Sequence, residues 1–290
     1  MNTFRLRSLV RKAWQTRVDN FPPSIVITRP TATEAVSVTG DKCALSCAHC
    51  GGHFLKRMVP LEVSGIPNNP NVSSYLVSGG CNREGKVPFV KHLDLIKKLG
   101  RHKRLNFHTG LVTEKEAARL KDVADAVSFD FIADNETIRE VLGLAKTVDD
   151  FIASYQALRK YVKVFPHICI GLKGGVTAGE YRALELLSEL GADGLVFIVF
   201  MPVKGTRFAA CRPPSLVDVV NILAAARIKF PDLPINLGCM RPGGRYRRKL
   251  DTWAVRCGIN NIVMPAPQAV SEAKHREMDL VFNTECCVLW

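Results

Sequence analysis

At 290 residues and 47% apolar side chains, the chain is long enough to bury a sizeable core and to form one domain. No run approaches the roughly 18 apolar residues of a membrane span, and the start MNTFRLRSLVRKAW lacks the apolar stretch and small-residue site of a secretory leader, so a cytoplasmic protein without a membrane is expected. The 40 basic against 27 acidic residues (+13) favour an acidic partner, but the basic residues are scattered and carry no interleaved aromatics, which speaks against nucleic acid.

In chain order, the first 34 residues form a basic, amphipathic lead-in that predicts a helix; an organelle transit peptide is the alternative. Eight strand candidates follow: 35-AVSVT-39, 74-SYLVS-78, 104-RLNFH-108, 126-AVSFDFI-132, 164-VFPHICI-170, 194-GLVFIVF-200, 234-PINLG-238 and 259-INNIVM-264. Between them, apolar residues recur at helical spacing over 90–100, 147–162, 179–192 and 215–230. Gly100, Gly191 and Pro231 stand where three of those helices should stop. The alternation predicts an α/β (βα)8 TIM-type barrel over 35–265, with 1–34 as lead-in and 266–290 as a tail folded over the barrel mouth. In such barrels the chemistry sits on loops at the carboxyl ends of the strands.

Ten cysteines in this setting point to metal-binding or catalytic thiols rather than disulfides. Three of them, in 43-CALSCAHC-50, are spaced C-x3-C-x2-C directly after the first strand candidate. Three thiolates on one loop can hold three irons of a [4Fe-4S] cubane and leave the fourth open to an outside ligand. A zinc site would show a fourth ligand or a second C-x2-C pair, and no pair follows.

This motif at the start of a βα barrel resembles the radical S-adenosylmethionine superfamily. The resemblance implies Cys43, Cys47 and Cys50 as cluster ligands and S-adenosylmethionine as the cofactor whose amine and carboxylate chelate the open iron. Further residues carry it. Ser78, Gly79 and Gly80 stand where the family has a glycine pair facing the methionine amine, although Cys81 replaces a common glutamate. Pro202, Gly205 and Thr206 match the turn beside the adenine, and Gly171 matches the strand-five glycine motif. Asp130 and Asp134 follow strand four as candidate ribose ligands, with helix capping the alternative for Asp134. His49 is expected to pack near the adenine. His53 and His108, at the active end, are expected to be ordinary hydrogen-bonded side chains, and Tyr246 a solvated loop residue.

Within that superfamily the chain is most similar to the biotin synthase branch. Biotin synthase holds a sacrificial second cluster on cysteines of strands two, three and five and an arginine of strand seven. Here Cys169 matches strand five, but strand two offers Leu76 or Val77 and strand three offers Asn106. Cys169 alone in a strand is more often a small buried hydrophobe than a ligand. Cys81, Cys239, Cys286 and Cys287 form instead the candidate ligand set of a second Fe-S cluster, although two adjacent residues cannot easily both ligate without strain. Cys211 is a reserve ligand and Cys257 a structural residue. Arg241 either neutralises a substrate carboxylate or supports that cluster.

The words 42-KCALSCAHCGGHFL-55, SGGC with 82-NREGKVP-88, LGCMRP and the terminal CC resemble one component of the two-protein lipoyl synthases. This implies a sulfurtransferase of lipoate biosynthesis acting on an octanoylated carrier protein or lipoyl domain. It also implies a related radical partner protein and a reductant such as ferredoxin or flavodoxin. A radical enzyme of rearrangement or methylation, and a non-enzymatic iron-sulfur protein, are the other readings.

Overall fold

The computed structural model describes residues 3–61 and 69–290; residues 1–2 and 62–68, inside the expected lead-in and barrel, lie outside the described residues. The strands in chain order are β1 Ser24–Thr28, β2 Thr33–Ser37, β3 Val59–Pro60, β4 Ser74–Ser78, β5 Arg104–Phe107 and β6 Ala126–Asp130. They continue with β7 Val164–Ile170, β8 Leu195–Val199, β9 Ile235–Leu237, β10 Asn261–Val263 and β11 Asp279–Asn283. The helices used below are α1 Thr3–Asn20, α2 Leu93–Leu99, α3 Val148–Arg159, α4 Glu180–Leu190, α5 Leu216–Lys229, α6 Gly244–Arg256 and α7 Pro267–His275. All eight strands read from the sequence form. The chain divides into two compact units, one of Met1–Arg29, His167–Pro202 and Cys211–Asn283, the other of Pro30–Pro166, Val203–Ala210 and Thr284–Trp290.

The first unit is a parallel sheet in the order β11-β1-β10-β9-β8-β7. Residues 24-SIVIT-28, inside the expected lead-in, make strand β1, which pairs with β10 (Val26 opposite Asn261) and β11 (Ser24 opposite Asp279). Residues 267–283 of the expected tail contribute α7 and β11, so both segments taken as appendages are built into the sheet. Helix α1 buries Leu6, Val10, Ala13 and Arg17, one face at helical spacing, and packs on α5.

Arg17 and Arg227 are both buried, and the hydrogen bonds that hold them end on carbonyls rather than carboxylates. Arg17 donates to the carbonyls of Phe21, Pro22 and Ser24, closing α1 onto the start of β1. Arg227 donates to the carbonyls of Gly258, Phe230, Pro231 and Leu233 and to Asn260 Oδ1, and lies over the Phe21 ring at 4.7 Å. Burial, then Arg17 beside it, push the Arg227 guanidinium down to about 9. Carbonyls left over at helix ends need partners, and these two side chains supply them.

The second unit is a parallel sheet in the order β3-β2-β4-β5-β6, with Thr33 opposite Ser74, Leu76 opposite Asn106 and Asn106 opposite Ala126. Its core is Val36, Val77, Leu105, Phe107, Val127 and Phe129, each worth about 1.5–3 kcal/mol on burial. Helix α2 adds Leu93, Ile96 and Leu99 from one face, and α3 brings Phe151 and Tyr155 against Phe129 at ring separations of 6.2 and 6.0 Å. The register fixes the direction of the site: Cys43 to Cys50 follow the carboxyl end of β2, and Cys81 follows that of β4.

The last seven residues correct the expectation of a tail over the mouth. Ala32 N donates to Thr284 O (2.8 Å) and Cys286 N to Thr33 Oγ1 (2.8 Å). Glu285 pairs with Arg104 and accepts from Ser73 Oγ at 2.6 Å. Thr33 and Arg104 begin β2 and β5, and Ser73 precedes β4, so the tail lies at the amino ends of these strands, opposite the cysteine loop. Its anchors are single polar residues at the strand starts.

Candidate radical cluster site

The cysteine loop is held from three sides within the second unit. Ala48 N donates to Val141 O at 2.7 Å, so the loop rests on the π-helical turn Ile138–Leu142, whose Leu142 carbonyl also faces Cys47 Sγ at 3.9 Å. Such wide turns recur at functional sites. Phe208 N donates to Ala48 O (3.0 Å), and Gly51 would place a side chain 3.5 Å from Thr206, so the 203–208 segment covers a second side. Thr206 closes that turn on Val203 O, with Gly205 at φ +85°.

The third side is the loop after β4. Ser78 Oγ donates to His108 O, and Gly80 N donates to Thr39 Oγ1 at 2.7 Å. A Cβ on Gly80 would lie 2.0 Å from Lys42 O and 2.6 Å from Cys43 Cα, so only glycine permits this approach. Gly79 packs less tightly, a Cβ there meeting the Thr39 and Val38 side chains at 3.0 and 3.1 Å. Ala44 N then donates to Cys81 O (2.8 Å), which also lies 3.8 Å from Cys43 Sγ.

The thiols are half-buried and mutually repulsive as anions. Burial first, then Cys50 and Cys43, push Cys47 up to about 12. Burial, then Cys43 and Cys47, do the same to Cys81, with Asp130 and Cys50 adding smaller pushes. Asp130, exposed at the end of β6, also acts on His49, but burial dominates and keeps that imidazole neutral. Desolvation likewise pushes His108 down to about 4.

These residues fit a [4Fe-4S] cluster carrying a polar cofactor. Cationic iron is the natural replacement for protons on three crowded thiols, since metal ligation deprotonates cysteine. Buried His49 Nδ1 has no hydrogen-bond partner, which costs about 1–3 kcal/mol that a polar ligand beside the loop removes. Among the described residues no three His, Cys, Asp or Glu side chains group closely enough to hold one metal ion.

The remaining sequence candidates fall elsewhere. Asp134 caps the turn Asn135–Thr137, accepting from Thr137 N (2.8 Å) and Oγ1 (2.6 Å). Cys81 stays with the first cysteine set, whereas Cys286 and Cys287 lie at the other end of the strands; β2 alone rises about 13 Å over its five residues. The structure therefore does not bring Cys81 together with the tail pair. In the first unit Cys239 is exposed after β9, and Cys257 is fully buried with its thiol 3.7 Å from Val220 O. Gly171 (φ +76°) packs on Pro214 and donates to Glu180, and Pro202 ends its segment of that unit. Cys169 lies within β7, and Cys211 is half-buried.

Two expectations are corrected. Arg241 is fully buried in a two-point pair with Asp251 (2.7 and 3.0 Å) and donates to the carbonyls of Gly238 and Val263, so it ties the β9 and β10 ends together instead of meeting a substrate carboxylate. Tyr246 is no loop residue: it sits in α6, half-buried, and donates to Pro214 O at 2.8 Å.

Sequence reasoning missed the surroundings of Cys286. Its Sγ accepts from Asn106 Nδ2 at 3.3 Å, and Asn106 in turn pairs with Ser128 on β6 at 3.0 Å. A hydrogen bond from the Cys287 side chain, with the Val288 amide, Asn106 and the Cys287 amide helping, holds the Cys286 thiol down to about 7 against burial. The terminal CC alone could have signalled a special thiol, but nothing in it named Asn106.

No family model matches the chain. A biotin synthase of Neorickettsia sennetsu is 24% identical over 272 residues, covering 88% of this chain and 81% of that protein. Among solved structures, methylornithine synthase matches with a TM-score of 0.70 at 14% identity, over 97% of this chain and 90% of its own. The FeFe-hydrogenase maturase HydG from Carboxydothermus hydrogenoformans matches with a TM-score of 0.65 at 16% identity, over 89% of this chain and 63% of its own. These likenesses give the chain the TIM-type α/β fold class expected from its alternating strands and helices. A C-x3-C-x2-C loop at the carboxyl end of a strand in this fold, in a chain similar to a biotin synthase, supports the resemblance to the radical S-adenosylmethionine superfamily.

Proposed function

We propose that this radical enzyme inserts sulfur into an octanoyl chain on a carrier protein or lipoyl domain, as one component of a two-protein lipoyl synthase. When bound, the cluster and S-adenosylmethionine would supply radical chemistry at an unactivated carbon. Cys43, Cys47 and Cys50 would hold the cluster, Gly79 and Gly80 would let backbone approach the cofactor, and the 203–208 turn would flank it.

Sulfur transfer needs a donor, and one observation carries that part of the reading. Asn106 occupies the strand-three position where the resemblance puts a second-cluster cysteine of biotin synthase, and Cys286 brings its thiol to within 3.3 Å of that side chain. The tail thus supplies the thiol that the strand lacks, in an environment that favours thiolate, the form that binds iron. Cys81, placed with the first cysteine set, is not part of this donor site.

The test is anaerobic reconstitution with iron and sulfide counting on wild type, a Cys43, Cys47, Cys50 triple alanine variant, and the same variant with Cys286→Ala. The triple variant is expected to retain iron, and the added substitution to remove it. Wild type is then supplied with S-adenosylmethionine, flavodoxin as reductant, the related partner protein and an octanoylated lipoyl domain. Mass spectrometry is expected to show added sulfur, and none with Cys286→Ala. A triple variant without iron sinks the sulfur reading and leaves a single-cluster radical enzyme of rearrangement or methylation.

A further inference from the structure

The sheet of the first unit has two unlike faces. Paired residues of a parallel sheet point the same way, and successive residues of a strand point apart. Ile25, Leu195, Phe197, Ile235, Leu237 and Ile262 make one face, apolar and buried. The other carries Thr28, Asn261, Asn236, Val196 and His167 on adjoining strands. Two of its polar side chains are bonded within the face: Thr28 Oγ1 donates to Asn261 Oδ1 at 2.8 Å and accepts from Asn283 Nδ2 at 3.1 Å. Asn236 stands directly opposite Asn261, is fully buried, and has a hydrogen-bond partner for neither its Oδ1 nor its Nδ2. A buried carboxamide with nothing to bond is costly, and a leucine would fill the same volume without that cost. Towards the carboxyl ends of the strands the same face continues through Gly238, Ile198 and Cys169, of which Ile198 and Cys169 are only half-buried. Ile198 leans over the bare backbone of Gly238, where a Cβ would lie 2.8 Å from its Cγ2. The way to Asn236 from that end therefore passes over one isoleucine side chain.

We propose that Asn236 is a specificity-determining residue that binds a secondary amide of the substrate. Its oxygen accepts from the amide N–H and its nitrogen donates to the amide carbonyl, which uses both atoms now without partners. The inference deepens the sulfur-insertion reading and rests on it. An octanoyl chain on a lipoyl domain is joined through a lysine amide, which offers one donor and one acceptor. On the thiol of a carrier protein the same chain is joined through a thioester, which has no N–H. A site built to bond a polar group rejects the analogue that lacks it, because the site's own buried atom then stays unpaired. Asn236 thus favours the lipoyl domain over the carrier thioester.

The test uses the full chain, reconstituted anaerobically and saturated with S-adenosylmethionine, as wild type and Asn236→Leu. The probes are N-methyloctanamide, its N,N-dimethyl analogue, which lacks the N–H, and the S-methyl thioester of octanoic acid. Calorimetric titration of wild type is expected to show the secondary amide binding about tenfold more tightly than either of the others, the worth of one hydrogen bond. Asn236→Leu is expected to bind all three alike. Its apoprotein should unfold in urea at a midpoint equal to or above that of wild type, since the substitution removes an unmet polar group at nearly constant volume. A lower midpoint marks an asparagine that serves the fold and overturns the proposal. If the variant does not fold, the three probes on wild type decide alone. Equal affinity of wild type for the three, or an unchanged preference in Asn236→Leu, overturns the role of Asn236 and leaves the sulfur-insertion reading standing. Binding of none of the octanoyl probes overturns both.

Discussion

The two ends of the β2-β4-β5 sheet are built on opposite principles. At the carboxyl ends, backbone mostly meets backbone: Gly80 lies against Lys42 and Cys43, Ala44 on Cys81 and Ala48 on Val141, with Thr39 and Ser78 the side chains that join them. The thiols there have only weak carbonyl contacts near 3.8 and 3.9 Å, and His49 keeps an unpartnered nitrogen. At the amino ends, side chains are paired: Glu285 with Arg104 and Ser73, Cys286 with Asn106, Asn106 with Ser128. One end holds its cysteine loop largely by main chain, as a site awaiting a ligand requires. The other uses its polar side chains to close the fold.

The contrast can be broken most severely at Gly80. Gly80→Val is expected to cost about 3 kcal/mol, the upper part of the overpacking range, and to abolish iron uptake by the cysteine loop. Iron counting after reconstitution, with denaturant unfolding, checks both. A variant that takes up iron normally would show that the loop can yield.

His108 provides a pH test at the same end. Its folded-state value of about 4 lies below the ordinary 6.5, so between these values the unfolded chain binds a proton that the folded chain does not. Stability should therefore be full above pH 6.5 and fall as pH drops towards 4, by about 3 kcal/mol for this group. In His108→Gln apoprotein, urea midpoints measured across that window should lose most of the slope.

At the amino ends, Glu285→Ala should cost about 2 kcal/mol, less than a fully buried pair because Arg104 is half exposed. Iron uptake by the cysteine loop should be unchanged, which separates the two ends in one experiment. The smallest effect belongs to Asn106→Ala. Loss of one donor to Cys286 should raise its thiol from about 7 and slow alkylation near neutral pH by several-fold, for about 1 kcal/mol of stability. An unchanged alkylation profile would assign the low value to Cys287 and the backbone alone.

This contrast also explains what was legible in the sequence. The eight strand candidates were apolar and β-rich, and the cysteine loop announced itself by spacing. Gly80 was legible because close approach has a single residue type that permits it. Strand β1 hid in a stretch whose basic start suggested a lead-in, and β11 hid because its apolar run, Leu280 to Phe282, is short and its residues are mostly exposed. The tail's direction was unreadable for another reason: Thr33, Ser73 and Arg104 are isolated polar residues with no pattern to link them to Glu285 and Cys286. Arg241 misled because an arginine beside a cysteine looks functional until its partner, Asp251 ten residues on, is seen.

The polar closure at the amino ends has a consequence for how the chain is made. Ser73 and Glu285 are 212 residues apart in sequence, and Thr33 and Cys286 are 253 apart. On a ribosome adding about 5–20 residues per second, β2 and β4 wait on the order of ten seconds or more for these partners to be synthesised. Throughout that interval the cysteine loop can already be clear of the ribosome while the far ends of its strands are still unfastened. Iron delivery during translation would meet an unfinished unit, so the order in which iron and the final residues arrive becomes a variable of biosynthesis.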